Sequence, residues 1–149
     1  MNRVFSDVKR CTLCAGMLEF APRPVVQLNT NAKILLIGQA PGRLAHEHNR
    51  PFSDPSGVRL RHWLDINDST FYDPTIFAIM PMAFCFPGKL ATGSGDNAPP
   101  KLCAETWHET IIDALPNIRL TLLVGRYAML RYIPHAEGIT EVVARQIVE

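Results

Sequence analysis

Four cysteines are the residues of this chain best suited to chemistry, and their spacing is uneven. Cys11-Thr-Leu-Cys14 offers two sulfurs from one turn, whereas Cys85 and Cys103 flank a distant loop rich in Pro and Gly. Thiolates are soft ligands, and a Cys-x-x-Cys pair with two distant partners can hold zinc or a [4Fe–4S] cluster. Zinc sites more often use two close pairs. Four buried free thiols are the alternative, since cysteine is a common small core residue. A thioredoxin-like redox pair is the weaker third reading, because Cys11 and Cys14 follow no strand.

The second chemical stretch is KILLIGQAPG, residues 33–42, with Asn49-Arg-Pro-Phe52 after it. It ends in Gly38-Gln39-Ala40-Pro41-Gly42. Gly38 and Gly42 permit backbone angles closed to other residues, and Pro41 fixes one angle and lacks an N–H. Such a loop after a buried strand can bring backbone N–H groups close to a ligand, at the end of the sheet where α/β proteins place their sites. Phe52 can offer a stacking face there, or simply cap the core. A Rossmann fingerprint and a P-loop are both excluded, because neither Gly-x-Gly-x-x-Gly nor Gly-Lys-Ser/Thr occurs in the stretch.

The remaining polar candidates have bland readings beside the chemical ones. His46 and His48 can touch a phosphate or a base, but a polar loop over 43–55 solvates them. Asp54 can orient a water beside Phe52 or begin the turn Asp-Pro-Ser-Gly. Arg59, Arg61, Lys89, Lys101 and Arg126 can meet phosphates or merely face water. Trp63 and Trp107 lie at helical spacing with aliphatic residues and are expected in the core. His108 and Glu105 are expected to solvate a helix.

The elements that must position these residues follow from periodicity and turn signals. A helix over 4–20 is expected to carry Cys11 and Cys14. Lys33–Ile37, Thr75–Met80 and Leu120–Val124 are branched apolar runs that predict buried strands. Ser56 is expected to cap a helix over 57–66, with further helices over 101–115 and from Arg126. Residues 87–100, PGKLATGSGDNAPP, form an irregular loop. Ile139–Val148 is a final amphipathic piece. Strands alternating with helices predict a parallel sheet covered on both faces.

The length of 149 residues suits one domain over 1–149. A net charge of +1 excludes a global basic field, so a polyanion must use a local patch. No apolar run approaches membrane-spanning length, and MNRVFSDVKRC lacks a signal-peptide hydrophobic region. A cytoplasmic protein without disulfides, and with no membrane partner, is the expectation.

Taken in order, Cys11-x-x-Cys14, Gly38-Gln-Ala-Pro-Gly42, Arg50-Pro-Phe52 and the pair Cys85 and Cys103 resemble the uracil-DNA glycosylase superfamily. The likeness is greatest to the iron–sulfur branch often called family 4 and its bacterial relatives. It covers roughly residues 9–148. The resemblance implies a three-layer α/β/α sandwich around a short, mainly parallel sheet. It implies hydrolysis of the N-glycosidic bond of uracil, or another damaged base, flipped out of DNA, in base excision repair. On it, Gly38, Gln39 and Ala40 line the base pocket, Gln39 helps position the water, and Phe52 stacks on the base. Cys11, Cys14, Cys85 and Cys103 then hold a structural [4Fe–4S] cluster, with zinc as the alternative. The expected partner is DNA, single-stranded or with a flipped base, bound by a monomer.

Three departures accompany the likeness. Family 4 proteins usually carry an acid where Gln39 stands, and Gln cannot act as a general base. An asparagine that reads the uracil edge is replaced by Pro81. The second motif, His-Pro-Ser after a fourth strand, is not found; His135 follows Pro134 but is not followed by Pro-Ser. The chain is therefore expected to be truncated, with its last strand missing. A catalytically inactive module that binds DNA or a partner is the alternative function.

Overall fold

Branched apolar residues closed off by turns become strands, since such side chains pack well on a pleated surface. The computed structural model describes residues 2–133. In it β1 is Ile34–Ile37, β2 is Phe77–Ile79 and β3 is Leu120–Leu123. They form one parallel sheet in the order β2-β1-β3. Leu35 lies opposite Ala78 on one side and Thr121 on the other. Six helices accompany them among the described residues: α1 Arg3–Lys9, α2 Arg43–His48, α3 Pro55–Leu64, α4 Asp68–Phe71, α5 Lys101–Asp113 and α6 Arg126–Tyr132.

Alternation along the strands divides the core in two. Leu35, Ile37, Ala78 and Met80 face one way and pack with Phe5 and Val8 of α1, Ile111 of α5 and Ala128 of α6. Leu36, Phe77 and Ile79 face the other way, onto Leu60 of α3 and Phe71 of α4. The result is helices on both faces of a short parallel sheet, the α/β architecture expected.

Several local expectations are corrected. The helix expected over 4–20 ends at Lys9, and Cys11 and Cys14 sit in the turns that follow. The polar loop expected over 43–55 contains α2, stopped by Asn49 in the left-handed conformation at φ 51°. Asp54, not Ser56, caps α3, accepting the Gly57 N–H through its side chain. β3 is only partly covered, with Leu120 50% exposed. The loop 87–100 has internal order: Leu90 N–H donates to the Gly95 carbonyl, Asn97 N–H to the Gly88 carbonyl, and Lys89 bridges Asp96 in antiparallel fashion. The final piece Ile139–Val148, Pro134, His135 and any fourth strand lie outside the described residues. No helix among the described residues is long and apolar enough to cross a membrane.

Candidate functional site

The carboxyl ends of the three strands open on a cleft of about 360 Å³. Gly38, Gln39 and Ala40 line it from the loop after β1, Pro81 from just after β2, Val124 and Gly125 from just after β3, and Phe52 from the loop before α3. The loop after β1 is anchored by its carbonyls. Gly38 C=O accepts from Met82 N–H at 2.8 Å, and Gln39 C=O accepts from Ala83 N–H at 3.1 Å. The N–H groups of Gln39 and Ala40 donate to nothing among the described residues. The loop thus turns its acceptors inward and leaves donors available.

Phe52 is held by its backbone. Its φ of 54° lies in the left-handed region, which a bulky residue rarely adopts. Arg61 Nη1 donates to the Phe52 carbonyl at 2.9 Å, and the Tyr72 hydroxyl donates to the Pro51 carbonyl at 2.7 Å. Burial raises the Tyr72 phenol above its ordinary range, so it remains an O–H donor. Gly57 packs beneath, where any Cβ would stand 1.8 Å from the Phe52 carbonyl oxygen. So pinned, the Phe52 ring meets Phe71 edge-on, with centroids 6.0 Å apart, and its tip lies 3.0 Å from where a Cβ on Gly38 would be. Phe52 therefore packs against the core cluster with Phe71 and also borders the cleft.

Arg61 was expected at the surface but is buried, with 8% of it exposed. Besides Phe52 it bonds the Tyr72 hydroxyl and pairs with Asp68 at 2.8 Å. Trp63, expected in the core, is 72% exposed and lines the cleft with Arg59. The α3 stripe that faces the sheet is carried by Leu60 and Leu64, and Trp63 falls beside it.

Two carboxylates face the cleft. Asp54 uses Oδ1 for local bonds, from Gly57 N–H at 3.0 Å and from the Ser56 hydroxyl at 2.7 Å. Its Oδ2 and the Oδ2 of Asp96 each lie 3.7 Å from where a Cβ on Gly42 would stand. Asp54 therefore serves both its turn and the cleft. Asp96 was not singled out in the sequence; its only signal was a lone acid inside a Gly-rich loop. The hairpin formed by that loop carries it to the cleft.

His108 and His46 depart from their solvated readings. His108 is fully buried; Nε2 bonds the Pro81 carbonyl at 2.8 Å and Nδ1 meets the Tyr132 hydroxyl. A neutral ring that donates from Nε2 and accepts at Nδ1 satisfies both, and burial pushes its pKa down to about 4. Pro81 therefore presents neither a side-chain donor nor a free carbonyl to the cleft. The His46 ring packs near Phe20 and Phe86, and burial lowers its pKa. His48 is exposed and bonds Ser53.

Cys11, Cys14, Cys85 and Cys103 all line a second, apolar pocket that shares no lining residue with the cleft. Two of the sulfurs already have N–H partners: Trp107 Nε1 lies 3.2 Å from Cys11 Sγ and Phe84 N lies 3.3 Å from Cys103 Sγ. Burial pushes Cys103 up to about 12 and Cys85 to about 11, with the neighbouring cysteines adding to both. Among the described residues no group of three or more His, Cys, Asp or Glu gathers closely enough for a single metal ion. An all-sulfur set with N–H donors at two of its sulfurs nonetheless suits an iron–sulfur cluster, whose irons spread their ligands wider than one ion does.

A family model described as the uracil DNA glycosylase superfamily matches residues 25–148. The chain belongs to that superfamily. Its members act on DNA, and this uracil-DNA glycosylase-like protein has a strand-end cleft lined by the anchored Gly-Gln-Ala-Pro-Gly loop and by Phe52. Cys85 and Cys103 lie within the match, while Cys11 and Cys14 precede it.

Proposed function

We propose that this superfamily member is a DNA glycosylase of the iron–sulfur branch, hydrolysing the N-glycosidic bond of uracil or another damaged base flipped into the cleft. The observation that carries this reading is the meeting, at one cleft, of the Gln39 and Ala40 N–H donors, the Phe52 ring and the free oxygens of Asp54 and Asp96. Phe52 stacks on the base. The Gln39 and Ala40 N–H groups bind a base carbonyl and stabilise the negative charge that grows on the leaving base. Asp54, whose carboxylate is fixed through Oδ1, takes a proton from the attacking water through Oδ2, the part Gln39 cannot play. Water oxygen bonds to the sugar C1′, the C1′–N bond breaks, and its electron pair leaves with the base.

Cys11, Cys14, Cys85 and Cys103 would hold a structural [4Fe–4S] cluster, tying the N-terminal turn to α5; zinc is the alternative.

The test is base release from a uracil-containing single-stranded oligonucleotide, read by alkaline cleavage of the abasic product. Asp54→Asn keeps an acceptor for the helix cap and should lower the rate about 100-fold or more, the usual worth of a general base. No release from uracil-, hypoxanthine- or xanthine-containing DNA at enzyme excess would remove the enzymatic reading. The occupied Pro81 carbonyl favours a second reading, a module that binds DNA without cleaving it. Salt-sensitive binding with no base release would support that reading.

A further inference from the structure

We propose that Arg59 and Trp63 form a subsite for the nucleotide flanking the one in the cleft, taking a single-stranded nucleic acid chain along the rim of α3. The position of that nucleotide rests on the cleft being a base site. The two residues are four apart on one helix and so share a face, and both border the cleft. Trp63 is 72% exposed, and Val58 beside this face is 61% exposed. Arg59 makes no ion pair or hydrogen bond among the described residues.

A flipped nucleotide stays joined to its neighbours through phosphates, so the strand must pass over the rim as it enters and leaves. An exposed indole beside a guanidinium with no partner among the described residues matches what that strand offers, a planar base and a phosphate. Stacking on an aromatic face is tolerant of sequence, which suits a flanking base that the protein need not read. With a net charge of only +1, the chain must bind a polyanion through such local contacts.

The experiment uses the full chain and an undamaged, labelled oligothymidylate of about 12 nucleotides, within the length one single-strand site spans. Binding is followed by anisotropy across a range of salt. Trp63→Ala should weaken binding by about 5- to 100-fold, the usual worth of one stacked base. Trp63→Phe should restore most of it. Arg59→Gln should weaken binding and lower the salt slope by about 0.7, the share of one phosphate on a single strand.

Wild-type affinity in Trp63→Ala would overturn the subsite. So would an indole that acrylamide cannot quench in the free protein, taken as the difference between wild type and Trp63→Phe, since Trp63 would then be covered by the chain itself. Base release is scored separately on uracil-containing DNA. Trp63-dependent binding without release would keep the subsite and remove the glycosylase reading, and release without Trp63-dependent binding would do the reverse.

Discussion

Arg61 shows how one buried cation shapes the candidate site. Its guanidinium bonds a backbone carbonyl, a phenol and a carboxylate, so no part of its charge is left uncompensated in the core. Removing it leaves the Phe52 carbonyl without its donor. Arg61→Leu should cost about 1–3 kcal/mol of stability in urea unfolding, while Arg59→Leu, two positions away and exposed, should cost under about 0.5 kcal/mol. Equal losses would show that Arg61 does not hold the Phe52 turn. Gly57→Ala is the sharper probe of the same turn. A methyl group cannot stand 1.8 Å from a carbonyl oxygen, so backbone must move. We expect a loss of at least about 1–3 kcal/mol, the range for overpacking, together with weaker base binding. A stable Gly57→Ala protein with wild-type affinity for a uracil-containing strand would separate Phe52 from that contact.

At the scale of elements, α5 and the turn after α1 line one apolar pocket together. Trp107 of α5 reaches Cys11, and Cys103 on the same helix reaches the backbone of Phe84. If the four cysteines hold a cluster, it crosslinks these pieces. Cys11→Ser should then speed amide hydrogen exchange across residues 2–24 and leave β1 protected, because β1 is hydrogen-bonded on both sides. Unchanged exchange in the N-terminal segment would argue against a crosslink there. Anaerobically purified protein should be brown, with iron and sulfide in equal amounts; colourless protein carrying zinc would move the assignment to a structural zinc site. The loop between Cys85 and Cys103 is pinned by its own hydrogen bonds as well, so its order does not depend on the cysteines alone.

Across the whole molecule, His108 joins three parts: α5, which carries it, the end of β2 through Pro81, and α6 through Tyr132. Its folded pKa of about 4 lies below the ordinary value of 6.5. The unfolded chain therefore takes up a proton as pH falls through 6.5, while the folded chain resists until about 4. Stability from this group is whole above that window and lost on passing down through it, by roughly 3 kcal/mol in all. His108→Gln should flatten that acid-side slope, whatever its effect at neutral pH. A slope unchanged between pH 6.5 and 4 would assign the acid sensitivity to other groups.

The three strands, their parallel order of alternation with helices and the loop after β1 were legible in the sequence, because branched runs and Gly/Pro punctuation act over a few residues. The same local punctuation singled out Gln39, Ala40 and Phe52, which line the cleft. What local pattern could not supply was the neighbour across space. Asp96 reaches the cleft only because the 87–100 loop closes as a hairpin, and Arg61 is buried only because Phe52, Tyr72 and Asp68 surround it. Trp63 and His108 exchange their expected places, the indole to the rim and the imidazole to the core. Helical spacing names a face but not what that face meets. The partners that decide it, Pro81 and Tyr132 for His108 and the open cleft for Trp63, come from distant parts of the chain.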